Sequence, residues 1–169
     1  MPPQAAEVSA VEEIENRGWF FAHAGGSSKI SMRSCAMPDV ASLREGELVV
    51  RATHLSLDPC LRFRMSRSAP EEDFIKPFND GSVISGFGLG IVEYSLREGI
   101  CSGDLIRCNL LDWCKFSIIG AAKGVTPIKK ENGVDESVYL TTLGLYGISS
   151  YLVIENYITA SRESVVFMP

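Results

Sequence analysis

Six short stretches rich in Val, Ile, Phe, Trp, Tyr and Thr recur along this chain, each closed by Gly, Pro, Asn, Asp or Ser, and this rhythm constrains the fold most. They are Trp19 to Ala24, Ile30 to Ala36, Glu47 to Ser56, Ile84 to Tyr94, Asp104 to Asn109 and Trp113 to Ile119. Short β-type runs at this spacing predict an all-β barrel or sandwich, because alternating helix and strand would need longer periodic segments between them. Gly25-Gly26-Ser27-Ser28 reads as a hairpin turn, and Met37-Pro38-Asp39 opens a loop closed by Arg44-Glu45-Gly46. From Ser137 to Asn156 the apolar spacing becomes helical after a glycine-punctuated bend. The last run, Glu163 to Met168, reads as the first buried strand of a parallel sheet, and no crossover follows it.

A chain of 169 residues is long enough to close one core without covalent staples. With 46% hydrophobic and 22% charged residues and no apolar run approaching the ~20 residues of a membrane span, the composition is that of a soluble domain with no membrane role. Residues 1–16 carry four glutamates ahead of the first basic residue, Arg17, and lack an apolar signal core, so a flexible leader on a cytoplasmic protein is expected. The net charge of −5, with scattered Lys and Arg, lacks the basic stripe that nucleic acid requires. Five cysteines without a secretory signal point to free thiols.

Chemistry-bearing patterns are few. The run Leu55 to Met65, LSLDPCLRFRM, breaks at Asp58-Pro59 and reopens with Arg62 and Arg64 two residues apart, a corner suited to presenting side chains. There Cys60 would have a lowered pKa if a guanidinium such as that of Arg62 approaches its thiol. Arg62 and Arg64 serve either a ligand or an ion pair closing the corner, with Asp58 as partner. His23 and His54 lie in strand segments and read as ordinary hydrogen-bonded residues; no Gly-x-Ser-x-Gly elbow accompanies them. Glu71-Glu72-Asp73 reads as solvated loop charge. Gly86-Phe87-Gly88-Leu89-Gly90 runs into a β-type segment and not a helix, so it fails as a dinucleotide fingerprint and reads as a close-packed or bulged strand.

Together with GELVVRATH before it and SGFGLGIVEYS after it, the corner resembles the prostaglandin reductase branch of the medium-chain dehydrogenase/reductase family, in which the turn reads Leu-Ser-x-Asp-Pro-Tyr-Met-Arg-x-Arg-Met. Leu143 to Tyr151, LGLYGISSY, is similar to that family's Leu-Gly-x-x-Gly-x-Thr-Ala-Tyr hinge. The resemblance implies a mainly β, GroES-like barrel-type domain over 17–136, followed over 137–169 by a linking helix and the truncated first Rossmann strand of a nucleotide-binding half. It also implies zinc independence. Where zinc relatives have Gly-His-Glu the chain has Gly86-Phe87, and Cys101, Cys108 and Cys114 contain no Cys-x-x-Cys pair.

The implied activity is NADPH-dependent reduction of α,β-unsaturated ketones and aldehydes, similar to that of 15-oxoprostaglandin 13-reductases. By motif, Ser56, Asp58 and Arg62 fall at cofactor-side positions, and Cys60, Phe74, Asn109, Leu110 and Trp113 at substrate-side positions. Two tyrosines of the family pattern are replaced, by Cys60 and Phe74, which removes two hydroxyl donors. Trp113 is either a pocket wall or a half-buried core residue. No residue is assigned the chemical step. The glycine-rich turn that cradles a pyrophosphate is missing, so the chain is expected to bind NADP(H) weakly and not to turn over alone. Expected partners are a small enone or oxidised lipid and a second copy or full-length relative, the latter through an apolar face around Leu140 to Ile154. Two other readings stay open: a non-catalytic interaction domain, and a cofactor-free binder of lipid carbonyls.

Overall fold

The computed structural model describes residues 14–24, 27–66, 76–158 and 165. Among the described residues seven strands form two antiparallel sheets. The smaller pairs β1 (Arg17–Ala24) with β2 (Ser27–Ser34) in register from Arg17 opposite Ser34 to Ala24 opposite Ser27. The larger contains β3 (Leu48–Leu55), β4 (Ser85–Ser95), β5 (Leu105–Asp112), β6 (Phe116–Ile119) and β7 (Val125–Pro127), in the order β6-β3-β4-β5-β7. A helix α1 (Cys60–Arg64) follows β3, and a helix α2 (Leu145–Tyr157) ends the described fold.

Each expected strand segment has a counterpart, with shifted ends. The run expected over 113–119 is regular only from Phe116, because Trp113 and Cys114 instead join the sheets: Trp19 N–H donates to Trp113 O at 2.9 Å, and Trp113 N–H donates to Ile84 O at 2.7 Å. Ile84 N–H closes the triangle on Trp19 O at 2.9 Å, so β1 bridges the two sheets in a barrel-like closure. The helix expected over 137–156 is divided: a 3-10 turn covers Glu136–Tyr139, and α2 starts only after the bend at Gly144. Of the strand expected over Glu163 to Met168 only Val165 is described, exposed and in no regular element, and Gly25 and Gly26 lie outside the described residues.

The core follows strand alternation. Leu48, Val50, Val92, Ile106, Leu111 and Ile119 are fully enclosed between β3, β4, β5 and β6, each contributing on the order of 1.5–3 kcal/mol by burial. A second cluster joins Phe21, Leu61, Phe78, Ile84 and Trp113, and a third joins Leu89, Leu105 and Leu140. The glycines of β4 are a packing device. A Cβ on Gly90 would stand 2.2 Å from Val50 Cγ1, and one on Gly88 would stand 2.7 Å from Leu111 Cδ2. The ladder to β5 shifts register between Gly86 and Gly88, as in a bulge.

Asn16, just before β1, is buried at 3% exposure. Its Nδ2 donates to Ala36 O at 2.8 Å and Phe116 O at 3.0 Å, and its Oδ1 accepts from Phe116 N–H at 2.9 Å. One side chain thus joins the entry to β1, the exit from β2 and β6.

Candidate functional site

Proline cannot donate to a ladder, so β3 ends ahead of Pro59 and the chain turns into α1. The turn is held from inside. Ser56 N–H donates to Phe87 O at 2.9 Å, Ser56 Oγ–H donates to Asp58 Oδ1 at 2.6 Å, and Leu61 N–H donates to Asp58 O at 3.0 Å. Asp58 is buried at 6% exposure, and its Oδ2 has no hydrogen-bond partner among the described residues. A buried carboxylate oxygen without a close donor is costly, and the Tyr146 phenol across the cavity is the hydroxyl that interacts with this carboxyl.

That cavity, about 310 Å³, has Ser56 and Asp58 on one side and Leu140, Leu145 and Tyr146 on the other, with Asn109 and Arg107 on β5 between them. Arg107 Nη1 donates to Leu143 O at 3.1 Å, tying β5 to the segment that leads into α2. Burial, then the charges of Asp58 and Cys60 and a hydrogen bond to the Asp58 carboxyl, pushes the Tyr146 phenol above its ordinary range, so it remains a protonated O–H donor at neutral pH.

Cys60 departs from expectation. Its thiol is pushed up, not down: burial comes first, the Asp58 carboxylate adds to it, and the nearby cation, Arg64 and not Arg62, offsets only part. The expected ion pair of Arg62 or Arg64 with Asp58 does not form among the described residues. Arg64 instead binds oxygens of the chain that follows it: Nη1 donates to Ser85 O, Nη2 to Ser85 Oγ at 3.2 Å and Nε to Lys76 O at 3.1 Å, while the guanidinium lies 3.9 Å above the Phe78 ring. Carbonyls win because the fork can reach two of them at once. Arg62 is exposed.

Of the sequence-derived candidates, the fold brings Ser56, Asp58 and Asn109 together around the cavity. Leu110 is exposed at 46% and Trp113 is a core residue at 8%, neither of them lining it. Phe74 lies outside the described residues. Arg107 and Tyr146 were not singled out as site residues, although Tyr146 sits inside the hinge-like LGLYGISSY segment. Among the described residues no three or more His, Cys, Asp or Glu side chains converge as a metal site would require. No helix among them is long and apolar enough to cross a membrane.

The mainly β domain of two antiparallel sheets is of the GroES-like fold. The profile of a family described as the N-terminal domain of oxidoreductase matches residues 20–128, well over half the chain, and the chain belongs to that family. It is 29% identical over 122 residues to an NADP(+)-dependent 2-alkenal reductase of Nicotiana tabacum, covering 72% of this chain and 34% of that protein. CurA of Vibrio vulnificus in complex with NADPH superposes with a TM-score of 0.62 at 20% identity, covering 82% of this chain and 40% of that one. The mitochondrial 2-enoyl thioester reductase heterodimer Etr1p/Etr2p of Candida tropicalis gives 0.65 at 14%, covering 88% and 45%. The chain thus spans about a third of the alkenal reductase's length, and these structural likenesses concern the fold alone.

Proposed function

We propose that this chain is the substrate-side part of an NADP(H)-dependent reductase of α,β-unsaturated ketones and aldehydes, of the 15-oxoprostaglandin 13-reductase kind. The observation that carries this is the cavity between the Asp-Pro corner and α2, where Ser56, Asp58, Asn109 and Tyr146 come together from three elements of the fold. The polar lining of Ser56, Asn109 and Arg107 suits an amide such as a nicotinamide carboxamide. A volume of about 310 Å³, near the lower limit for ligand sites, suits one ring and a short enone and not a whole dinucleotide. Bound NADPH would supply the hydride that reaches the enone β-carbon.

The chain's own residues position and polarise. Ser56 fixes the Asp58 carboxyl, and Asn109 and the protonated Tyr146 phenol are donors for the oxyanion that grows on the carbonyl. They supply hydroxyl and amide donors in place of the family tyrosines that Cys60 and Phe74 replace in the sequence. No glycine-rich strand-turn-helix lies within the 169 residues, so NADP(H) binds this chain weakly and turnover by it alone is absent.

The test is a two-dimensional NMR titration of the 169-residue chain with a 2-alkenal and with NADPH, paired with Asp58→Ala. Shifts confined to Ser56, Asp58, Asn109 and Tyr146, with nicotinamide shifts lost in the variant, are expected; shifts elsewhere or none at all would refute the reading. The exposed apolar sides of α2 favour a second one, a non-catalytic domain that pairs through this helix with a second copy or a full-length relative. Mass that grows with concentration, without ligand shifts, would support that alternative.

A further inference from the structure

Gly18 of β1 makes room for two sulfur atoms. Cys35, just past the end of β2, and Cys114, between β5 and β6, place their Sγ atoms 3.2 Å apart although 79 positions separate them in sequence. A Cβ on Gly18 would stand 2.4 Å from Cys114 Sγ and 2.8 Å from Cys35 Sγ, so any other residue there would displace the pair. The flanking backbone is held on both sides: Cys35 N–H donates to Asn16 O at 2.8 Å and Lys115 N–H donates to Arg17 O at 2.9 Å. Both thiols are free.

We propose that Cys35 and Cys114 form an oxidisable dithiol that closes to a disulfide when the protein meets a hydroperoxide. Closure asks the sulfurs to approach by about 1 Å, with no side chain of residue 18 between them. Cys35, half-buried and more accessible than Cys114, attacks the peroxide oxygen with its sulfur; the O–O bond breaks, leaving the Cys35 sulfenic acid, and the departing hydroxide takes the thiol proton to become water. Cys114 then attacks the Cys35 sulfur. Its S–H proton leaves with the sulfenic hydroxyl as a second water, and the S–S bond forms. The peroxide is reduced and the two thiols are oxidised, so electrons and atoms balance.

The geometry also assigns the order of attack. Cys114 lies 8% exposed beside a small cleft of about 180 Å³ bordered by Arg17, Trp19, Thr53 and Lys115. Burial, then the hydrogen bond and charge of Cys35, then the Asp112 carboxylate, pushes its pKa up to about 12, so Cys114 is the less reactive of the two sulfurs and Cys35 meets the peroxide first. Cys60 and Cys101 have no such sulfur neighbour among the described residues. Cys108 is buried inside the sheet core.

The experiment treats the reduced 169-residue chain with hydrogen peroxide, alkylates the remaining thiols, and maps non-reduced peptides by mass spectrometry. Expected is the loss of two of the five thiols from a species that stays monomeric in covalent mass, with one cross-linked peptide pair carrying Cys35 and Cys114. In the chain-entropy account, bridging so long a loop raises Tm by about 10 °C, and dithiothreitol reverses it. Cys35→Ser removes the cross-link, and Gly18→Ala slows its formation at least ~10-fold by forcing the sulfurs apart. The inference is overturned if Cys35 and Cys114 remain alkylatable while Cys60 or Cys101 is oxidised, if the cross-link forms equally fast in urea, or if Gly18→Ala reacts at the parent rate.

Discussion

Replacing Asn16 by alanine tests whether one buried amide closes the barrel. The substitution removes three hydrogen bonds of 2.8, 3.0 and 2.9 Å and leaves both backbone groups of Phe116 that they served without a side-chain partner. Ala36 is exposed, so water replaces the lost donor at its carbonyl at little cost. Phe116 O and N–H lie against a 3%-exposed side chain, where each orphaned group costs about 1–1.5 kcal/mol. The expected loss is about 3 kcal/mol, or a Tm lower by roughly 6–12 °C for a chain of this size. Thermal unfolding followed by circular dichroism measures it, and hydrogen exchange at the Phe116 amide locates it. Asn16→Asp keeps the acceptor, loses both donors and turns a carboxylate towards two carbonyl oxygens, so its loss is larger than that of Asn16→Ala. A Tm within about 2 °C of the parent for Asn16→Ala, with unchanged Phe116 exchange, would refute the reasoning.

Gly90→Ala overpacks β4 against Val50 Cγ1 and Arg51 O, at 2.2 and 2.8 Å from the new Cβ, and lowers stability by about 2–3 kcal/mol in chemical denaturation, whereas Gly120→Ala, with nothing within 4 Å, leaves it within about 0.5 kcal/mol. Arg64→Ala strips donors from Ser85 O and Lys76 O and the cation from the Phe78 face; a loss of about 2–3 kcal/mol is expected from the same assay. Cys114 keeps its proton to about 12 when folded and releases it near 9.0 when unfolded, so its contribution is intact below pH 9 and is lost as pH rises from there, by at most about 1.4 kcal/mol per pH unit. The stability difference between parent and Cys114→Ser should therefore shrink steadily above pH 9 and stay constant below it.

The strands were legible because β-type runs bounded by turn residues carry their own signal, and the corner because Asp58-Pro59 interrupts one of them. Helix α1 was not, since five residues are too few to show a 3.6-residue period, and β7, with three, is no better. The glycines of β4 were readable as close packing, but which side chains fill the space opposite them was not. The site is harder for the same reason. Ser56 and Asp58 were found through a local motif, whereas Arg107 and Tyr146 join them only through the fold, from β5 and from the first turn of α2. A guanidinium looks alike in sequence whether it meets a carboxylate or a carbonyl, so Arg64 showed that it would bind something but not what. No spacing rule brings Cys35 to Cys114; that contact depends on β1 passing between them with no side chain at Gly18.

The two sides of the cavity are held with unequal strength. Ser56, Phe87 and Asn109 belong to laddered strands or their ends, whereas the Leu140–Ile148 side depends on Leu140 packing against Leu89 and Leu105 and on the Arg107 bond to Leu143 O. Beyond it, α2 is exposed on every side, including Tyr151, Leu152 and Ile154. A helix apolar all round is ordinarily covered, and thirteen residues with Gly147 in the interior are close to marginal in water without tertiary support. Tyr146 sits in its first turn, so whatever covers α2 also fixes the phenol that faces the cavity. A ligand that needs Tyr146 in place and a surface that covers α2 must therefore strengthen each other's binding by the same factor, because both favour the ordered helix.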